Sequence, residues 1–569
     1  MTESKNVPMS SSVRFGAFEV DLEGRRLLKS GKPVTLREQS FQVLAALMER
    51  PGEIVTREEL RRRLWSSDTF VDFEVALNSA VSRLRDALGD SANSPSVIET
   101  IPKRGYRFVV PIPKRPAIAV MPFVNQTGDA KDEYFSDGLT DELIRAFSRI
   151  QGLRVTAGSV VFRFKGQRWD ARQIGTELGV EAVLEGAVWR TGDRIRISVS
   201  LVGTRDGFNV WAQRFDSNLG DVFTIQDEVC TAVAEAMHIR PTSQPPKAHP
   251  SNATAYMLYL KGAYILKKRR PQSIQRAFQY QQEAIRLEPN WAEPYSSAAM
   301  SYIVRAIYGE MPPTTALPEA ETLVSKGLAL DENSAVLHST LGMLRMMQWR
   351  WGDSEKAHRR ALSLEPGNAF PHQTYTIFCS FVGRHDEAIS HAAKSVELDP
   401  LDLMTNFRVV QANCYARRYD EAVHAGRIAI ELTPDSPYTF FYLALSLTAL
   451  GSKEEAWEVA GMGRKLAGGM PLGEGYFAYL AGVLGHAAEA REVVEKLQTG
   501  REKGYVSALP IVWTYLGLGE TTEVLKWLDI AFAERDPFLG SLTVHPAYDC
   551  IRDQPEFRRL AHELKLSAE

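Results

Sequence analysis

The apolar positions along this chain change period twice. The stretch "VRFGAFEVDLEGRRLLKSGKPVTL" alternates apolar and polar residues and is broken at Gly24 and Gly31, which predicts short antiparallel strands. The period then lengthens to that of a helix. "TLREQSFQVLAALMER" places Phe41, Leu44 and Leu47/Met48 on one stripe. Thr35 with Glu38, and Thr56 with Glu59 in "TREELRRRLW", have the spacing of capping boxes. A third helix, "FEVALNSAVSRLRDALG", aligns Leu77, Val81, Leu84 and Leu88 on one face and is expected to stop at Gly89. "VIETIPKRGYRFVV" returns to alternation on both sides of a turn, predicting a hairpin whose tip carries Lys103 and Arg104, with Gly105 permitting the turn.

After the proline-rich "PIPKRP", residues 111–116, the pattern is mixed. "AIAVMPF", "LRVTAG", "AVLEGAVWR", "RIRISVSLVG" and "NVWAQRFD" read as strands. "SDGLTDELIRAFSRI", beginning near Asp137/Thr140, "ARQIGTELGV" and "LGDVFTIQDEVCTAVAEAM" read as helices. Gly138, at the expected helix start, is read as a simple cap in preference to an anion site.

From residue 250 the chain repeats. Leu287, Leu330, Leu364, Leu398 and Leu432 recur in "RLEPN"-like words with steps of 43, 34, 34 and 34. Ala277, Ala320, Ser354, Ala388, Ala422, Ala456 and Ala490 keep the same beat, one step of 43 and five of 34. The long step contains "GEMPPTTA". Small residues at one phase let paired helices approach closely, and six to eight helical pairs are expected. "PAYDCIRDQPEFRRLAHEL" resembles the end segment common after such arrays, which implies that it caps the last helix. Tyr256, Tyr259, Tyr264, Tyr295 and Tyr302 are assigned to the core in preference to a binding groove.

Length and composition support this division. At 569 residues the chain exceeds the roughly 250–300 residues of a single core, and 44% apolar with 24% charged residues is ordinary for a globular protein. The fold class expected is multidomain α+β. It comprises an N-terminal winged helix-turn-helix over 12–112, a central α/β domain over 113–240, and a C-terminal all-α repeat solenoid with its cap over 250–569. The polar start "MTESKNVPMSSS" has no secretory h-region, and "AIAVMPFV" is far short of the ~20 residues of a membrane helix. A cytoplasmic protein with no membrane contact is therefore expected. Cys230, Cys379, Cys414 and Cys550 lack ligand spacing and are read as reduced core thiols.

Net charge is −3, but residues 12–115 hold 18 Lys and Arg against 14 Asp and Glu. The basic head points to nucleic acid. Strands, three helices and a hairpin place the third helix in a major groove and the hairpin on the backbone or minor groove. Opposite the leucines, the third helix carries Val75, Ser79, Ser82 and Arg83, with Asn78 and Arg85 at its edges. Arginine forks suit phosphate or guanine, and cations at a wing tip suit a narrow groove. The DNA-contacting set is thus Val75, Asn78, Ser79, Ser82, Arg83, Arg85, Lys103, Arg104 and Tyr106.

"REQSFQVLAALMERPGEIVTREELRRRLW", "LNSAVSRLRDALGD" and "IETIPKRGYRF" closely resemble the effector domain of OmpR/PhoB-type bacterial response regulators, the CadC-like branch in particular. The resemblance implies signal transduction allied to phosphorelays, binding of double-stranded DNA, and contact between RNA polymerase and Trp65 with the "SSDTFVDFE" loop. Only about a dozen residues precede the head, too few for a receiver domain with its phosphoacceptor, so control is expected from the rest of the chain or from partners. "AVMPFVNQTGD", "FSDGLTDELI", "ELGVEAVLEGAVWR", "RISVSLV" and "FTIQDEV" resemble the TolB-N-terminal or FlgO-like module. The repeats resemble tetratricopeptide units, best in "LGMLRMMQWRWGDSEKAHRRALSLEP", which implies a protein or peptide partner on the concave face.

No P-loop, H-E-x-x-H or G-x-S-x-G is present, and His338, His358, His372 and His385 lack zinc spacing. No enzyme activity, cofactor or metal is expected. The function expected is a sequence-specific transcriptional regulator, with the central domain and solenoid sensing a partner or ligand. Its head would read direct or inverted repeats about 10–11 bp apart, with a homodimer among its partners. The alternative is an interaction scaffold whose winged helix contacts protein. Salt dependence of binding separates the two.

Overall fold

The structure, a computed structural model, describes residues 12–15, 17–21, 25–29, 32–64, 73–110, 116–150, 152–237, 239, 250–266 and 271–566. The chain forms two compact units, Met1–Arg115 and Pro116–Glu569.

The first unit opens with a four-stranded antiparallel sheet of β1 (Ser12–Phe15), β2 (Phe18–Asp21), β3 (Arg26–Lys29) and β4 (Lys32–Val34), paired in chain order. Three helices follow: α1 (Glu38–Met48), α2 (Arg57–Leu64) and α3 (Phe73–Leu88). A second sheet has the order β5 (Ile54–Thr56), β7 (Gly105–Phe108), β6 (Ile98–Ile101). The capping box at Thr56 forms: Thr56 N and Oγ1 both donate to Glu59, and Glu59 N donates to Thr56 Oγ1. The one expected at Thr35 does not. Helix α1 begins at Glu38 after an uncapped Arg37, and Glu38 accepts instead from Arg25 at 2.6 Å. Leu77, Val81, Leu84 and Leu88 are buried against Phe41, Leu44 and Leu47, and Ser40 Oγ donates to Ala80 O at 2.9 Å to lock α1 on α3.

The second unit begins with a sheet ordered β10 (Arg154–Val155), β8 (Ala117–Val120), β11 (Ala182–Thr191), β12 (Arg194–Gly203), β13 (Asn209–Asn218), with β9 (Val124–Asn125) also on β11. Strand β8 runs parallel to β10 and β11, and the last three strands are antiparallel. Helices α4 (Glu133–Ser148), α5 (Gly158–Phe162), α6 (Ala171–Leu178) and α7 (Val222–Ala236) complete this part. Helix α4 starts a turn earlier than expected. Gly138 is therefore not a cap: it lies inside α4, buried, where a Cβ would come within 2.9 Å of Leu260.

Eight antiparallel helical pairs follow among the described residues: α8 (Ala253–Leu266), α9 (Pro271–Leu287), α10 (Glu293–Ile307), α11 (Pro313–Leu330), α12 (Ala335–Met347), α13 (Trp351–Leu364), α14 (Ala369–Phe381), α15 (His385–Leu398), α16 (Leu403–Tyr415), α17 (Tyr419–Leu432), α18 (Pro437–Ala449), α19 (Lys453–Ala467), α20 (Pro471–Val483), α21 (Ala487–Lys503), α22 (Leu509–Leu518) and α23 (Thr521–Ala533). Two 3-10 turns, Pro537–Ser541 and Pro546–Ile551, and α24 (Pro555–Glu563) end the chain. The leucine register marks helix ends, since Leu287, Leu330, Leu364, Leu398 and Leu432 each close the second helix of a pair. The small-residue register marks closest approach. Ala277, Ala320, Ser354, Ala388, Ala422, Ala456 and Ala490 are all fully buried. The 43-residue step is absorbed by α11, 18 residues long against 14 for α13, and by the turn before it.

The central sheet and the solenoid share a core. Tyr256 and Tyr259 of α8 pack with Phe223 of α7 and Trp291. Further along, Arg149 Nε donates to Glu365 at 3.2 Å, and Ser159 bonds Asp399 and the Leu401 amide. All four thiols are free; Cys379 and Cys414 lie in the core as expected, whereas Cys230 is half-buried and Cys550 is exposed.

Candidate nucleic-acid interface

Helix α3 turns its leucines inward, which leaves Val75, Asn78, Ser82 and Asp86 exposed and Ser79 and Arg83 half-buried. Val75 is 65% exposed, an apolar side chain placed outside the core. The hairpin tip turns at Ile101–Arg104, closed by the Arg104 amide on Ile101 O at 3.1 Å. Lys103 and Arg104 are exposed and carry no ion pair among the described residues.

Two expectations about this tip change. The left-handed residue is Lys103, with φ of 61°, and not Gly105. Gly105 is needed for close approach, because a Cβ there would sit 2.1 Å from Val55 O across the β5–β7 pair. The third cation of the stretch, Arg107, is held by Glu99 on the neighbouring strand at 2.5 Å.

Two of the expected contact residues, Arg85 and Tyr106, serve the domain's interior. Arg85 is buried. Its Nη2 donates to Ile98 O at 2.7 Å and to Thr100 Oγ1 at 2.8 Å, and its Nε lies 3.8 Å from Asp90. Burial would raise the Asp90 carboxyl, but the amides of Ile98, Ser96 and Val97 and the Ser96 hydroxyl donate to it and hold it below its usual range. Arg85 and Asp90 therefore fasten α3 to β6, and Arg85 is removed from the contact set. Tyr106 is 3% exposed and donates to Asn78 Oδ1 at 2.9 Å. Burial raises the Tyr106 phenol.

Sequence reasoning missed Arg57. Its guanidinium reaches Glu74 at 2.5 Å, Asn78 Oδ1 at 3.3 Å and Tyr106 Oη at 3.1 Å. Its amide donates to Arg104 O at 3.1 Å. One residue thus joins the start of α2, the outer edge of α3 and the turn of the hairpin. The available signal was the Thr56–Glu59 capping box, within which it is the first helical residue. Glu59 of that box is pulled down to about 2, first by its hydrogen bond from Arg50 and then by those from Thr56. Trp65 and residues 66–72 of the loop assigned to RNA polymerase lie outside the described residues.

Residues 31–108 match the family model for the C-terminal domain of transcriptional regulatory proteins. The head is a winged helix of the OmpR/PhoB type. Within it α3 is the recognition helix by position and β6–β7 the wing. Residues 114–232 match the second domain of HilA/YgeH-like transcriptional regulators, the family name found for the part that resembled TolB-N-terminal and FlgO-like modules.

Among curated relatives, the putative adenylate cyclase 3 of Rhizobium meliloti is 31% identical over 253 residues, 43% of this chain and 43% of its own length. The transcriptional regulator HilA of Salmonella typhimurium is 22% identical over 408 residues, 69% of this chain and 72% of its own. PhoB of Rhizobium meliloti, a phosphate regulon regulator, is 35% identical over 106 residues, 19% of this chain and 46% of its own. The matched region spans less than half the length of the cyclase and of PhoB. No helix among the described residues is long and apolar enough to cross a membrane.

Proposed function

We propose that this chain is a sequence-specific, DNA-binding transcriptional regulator working in the cytoplasm, and we assign it no catalytic activity. The carrying observation is the Arg57–Asn78–Tyr106 network, which fixes the exposed face of α3 and the cationic wing turn within one rigid frame. In this reading Val75, Ser79, Ser82 and Arg83 face base edges, Lys103 and Arg104 meet phosphates, and Asn78 and Tyr106 hold the two elements in register. Two heads would occupy adjacent half-sites about one helical turn apart. RNA polymerase contact belongs to Trp65 and the loop after it.

The second unit is the sensing part. Its central sheet and solenoid share a core and the Arg149–Glu365 bond, so a partner held by one can be felt by the other.

The test is selection of bound duplexes from random DNA with the full chain, alongside the Arg83→Ala/Arg104→Ala double variant. A repeated motif enriched by the parent alone supports the proposal. Each phosphate contact should contribute about −0.9 to the slope of log affinity against log salt. Enrichment of nothing at low salt would sink it and favour the scaffold reading.

A further inference from the structure

The concave face of the repeat array was expected to receive another protein. In this structure it is full. Of the inner helices, α14, α18 and α22 carry no charged residue and α16 and α20 carry one each, the buried Arg408 and Glu474, while α18 buries nine consecutive residues from Thr439 to Leu447. A helix buried all round must be covered on both sides. The second helices of each pair cover one side; the other is covered by Tyr308 at the end of α10, stacked on Tyr438 at 5.7 Å, and by the chain's own C-terminal segment.

The segment is gripped like a bound peptide. The His545 ring sits at its centre, with centroids 5.6 Å from Tyr415, 6.0 Å from Tyr442, 6.0 Å from Tyr476 and 5.7 Å from Trp513, one ring from each of four successive inner helices. Phe538 lies 6.2 Å from both Phe381 and Trp513. Main-chain carbonyls are read as well. Arg417 Nη1 donates to Val544 O at 2.7 Å while its Nη2 reaches Asp549 at 2.8 Å, and Trp351 Nε1 donates to Leu564 O at 2.7 Å. Gly540 passes so close that a Cβ would stand 2.9 Å from Phe381 and from Trp351. The segment follows the last helical pair, has none of the 34-residue pattern, and touches side chains nearly two hundred positions earlier in the chain.

We infer that Asp536–Ile551 is a ligand in cis: the groove is a peptide-binding site occupied by this chain's own C-terminal segment, which denies it to other proteins until released. A partner in the resting state meets the outer surface, and a protein that enters the groove must displace the segment by presenting similar chemistry. That chemistry is a stretch of two short 3-10 turns, each opened by a proline, with two aromatic or imidazole anchors and an acidic residue near its end.

The experiment keeps the full chain and inserts a protease recognition sequence between Glu534 and Arg535. The probe is a fluorescent synthetic peptide of residues 535–569. The uncut chain should ignore the probe. The cut chain should retain its fragment on size exclusion and then exchange it for the probe. An uncut His545→Arg variant, its imidazole site disrupted, should bind the probe at least about tenfold more tightly than the parent. Equal binding by uncut parent and cut chain would overturn the inference. So would a cut chain that never exchanges its fragment, since the segment would then be an inseparable part of the solenoid; that arm needs no variant to fold.

Discussion

Arg85 on the recognition helix donates to the main-chain carbonyl of Ile98 at 2.7 Å, and this bond joins the helix to the first strand of the wing. Position on the helix alone placed Arg85 with Arg83, yet the two have different work. Replacing Arg85 by Ala should cost about 2–3 kcal/mol of head stability, because it removes the donor to Ile98 O and Thr100 and the cation beside Asp90. Arg83→Ala should change stability by less than about 1 kcal/mol and cost about 1–3 kcal/mol in specific DNA binding. Thermal melts paired with binding isotherms separate them. A destabilised Arg83 variant with full affinity would reverse the assignment.

Lys103 holds a left-handed backbone that glycine prefers. Lys103→Gly should stabilise the head by up to about 1 kcal/mol while lowering the magnitude of the salt slope by about 0.9. Gly105→Ala should do the opposite to the fold, losing about 1–3 kcal/mol as β5 is pushed away. Denaturant titrations of the two variants would show the contrast, and a stabilising Gly105→Ala would contradict it.

Glu59 has a carboxyl lowered in the fold from 4.5 to about 2 by Arg50 and Thr56. A lowered carboxyl stabilises the fold above its unfolded value and loses that effect as pH falls through the folded one. The head should therefore weaken between about pH 4.5 and 2, and Glu59→Gln should flatten that part of the profile. An unchanged profile in the variant would show that other carboxyls set it.

The second unit should lose stability at milder acidity. Burial lowers His358 to about 3, His391 to about 4 and His545 to about 3. Each stays neutral in the fold but is charged when unfolded below 6.5, so stability falls as pH drops below that value. Asp536, raised by burial to about 6, has the opposite sign: its favourable effect is present below its unfolded value and fades as pH rises through 6. Melting temperature should fall from pH 7 to 5, less so in His358→Asn. A rise over that range would contradict the three histidines.

Ala422 is fully buried at the crossing of its helical pair. Ala422→Leu should cost about 1–3 kcal/mol through overpacking. Glu454→Leu, at an exposed position, should be near neutral. Equal effects would mean the small-residue register is not a packing constraint.

The sequence by itself determined the elements with a strong period. The α3 leucines, the Thr56–Glu59 box, the 34-residue step and the order of strands and helices in the head all follow from local side-chain spacing, because amphipathic faces and caps are set by residues within a few turns of one another. The tertiary structure decided what depends on neighbours distant in the chain. Arg85 and Arg83 differ only because β6 meets one of them. Gly105 is required by Val55, fifty residues away, while the turn it was meant to supply is made by Lys103. The concave groove looked vacant in the repeat pattern, since periodicity describes each helix pair and is silent about what lies across the array. Its occupant became visible only when His545 was seen among four rings contributed by four different repeats.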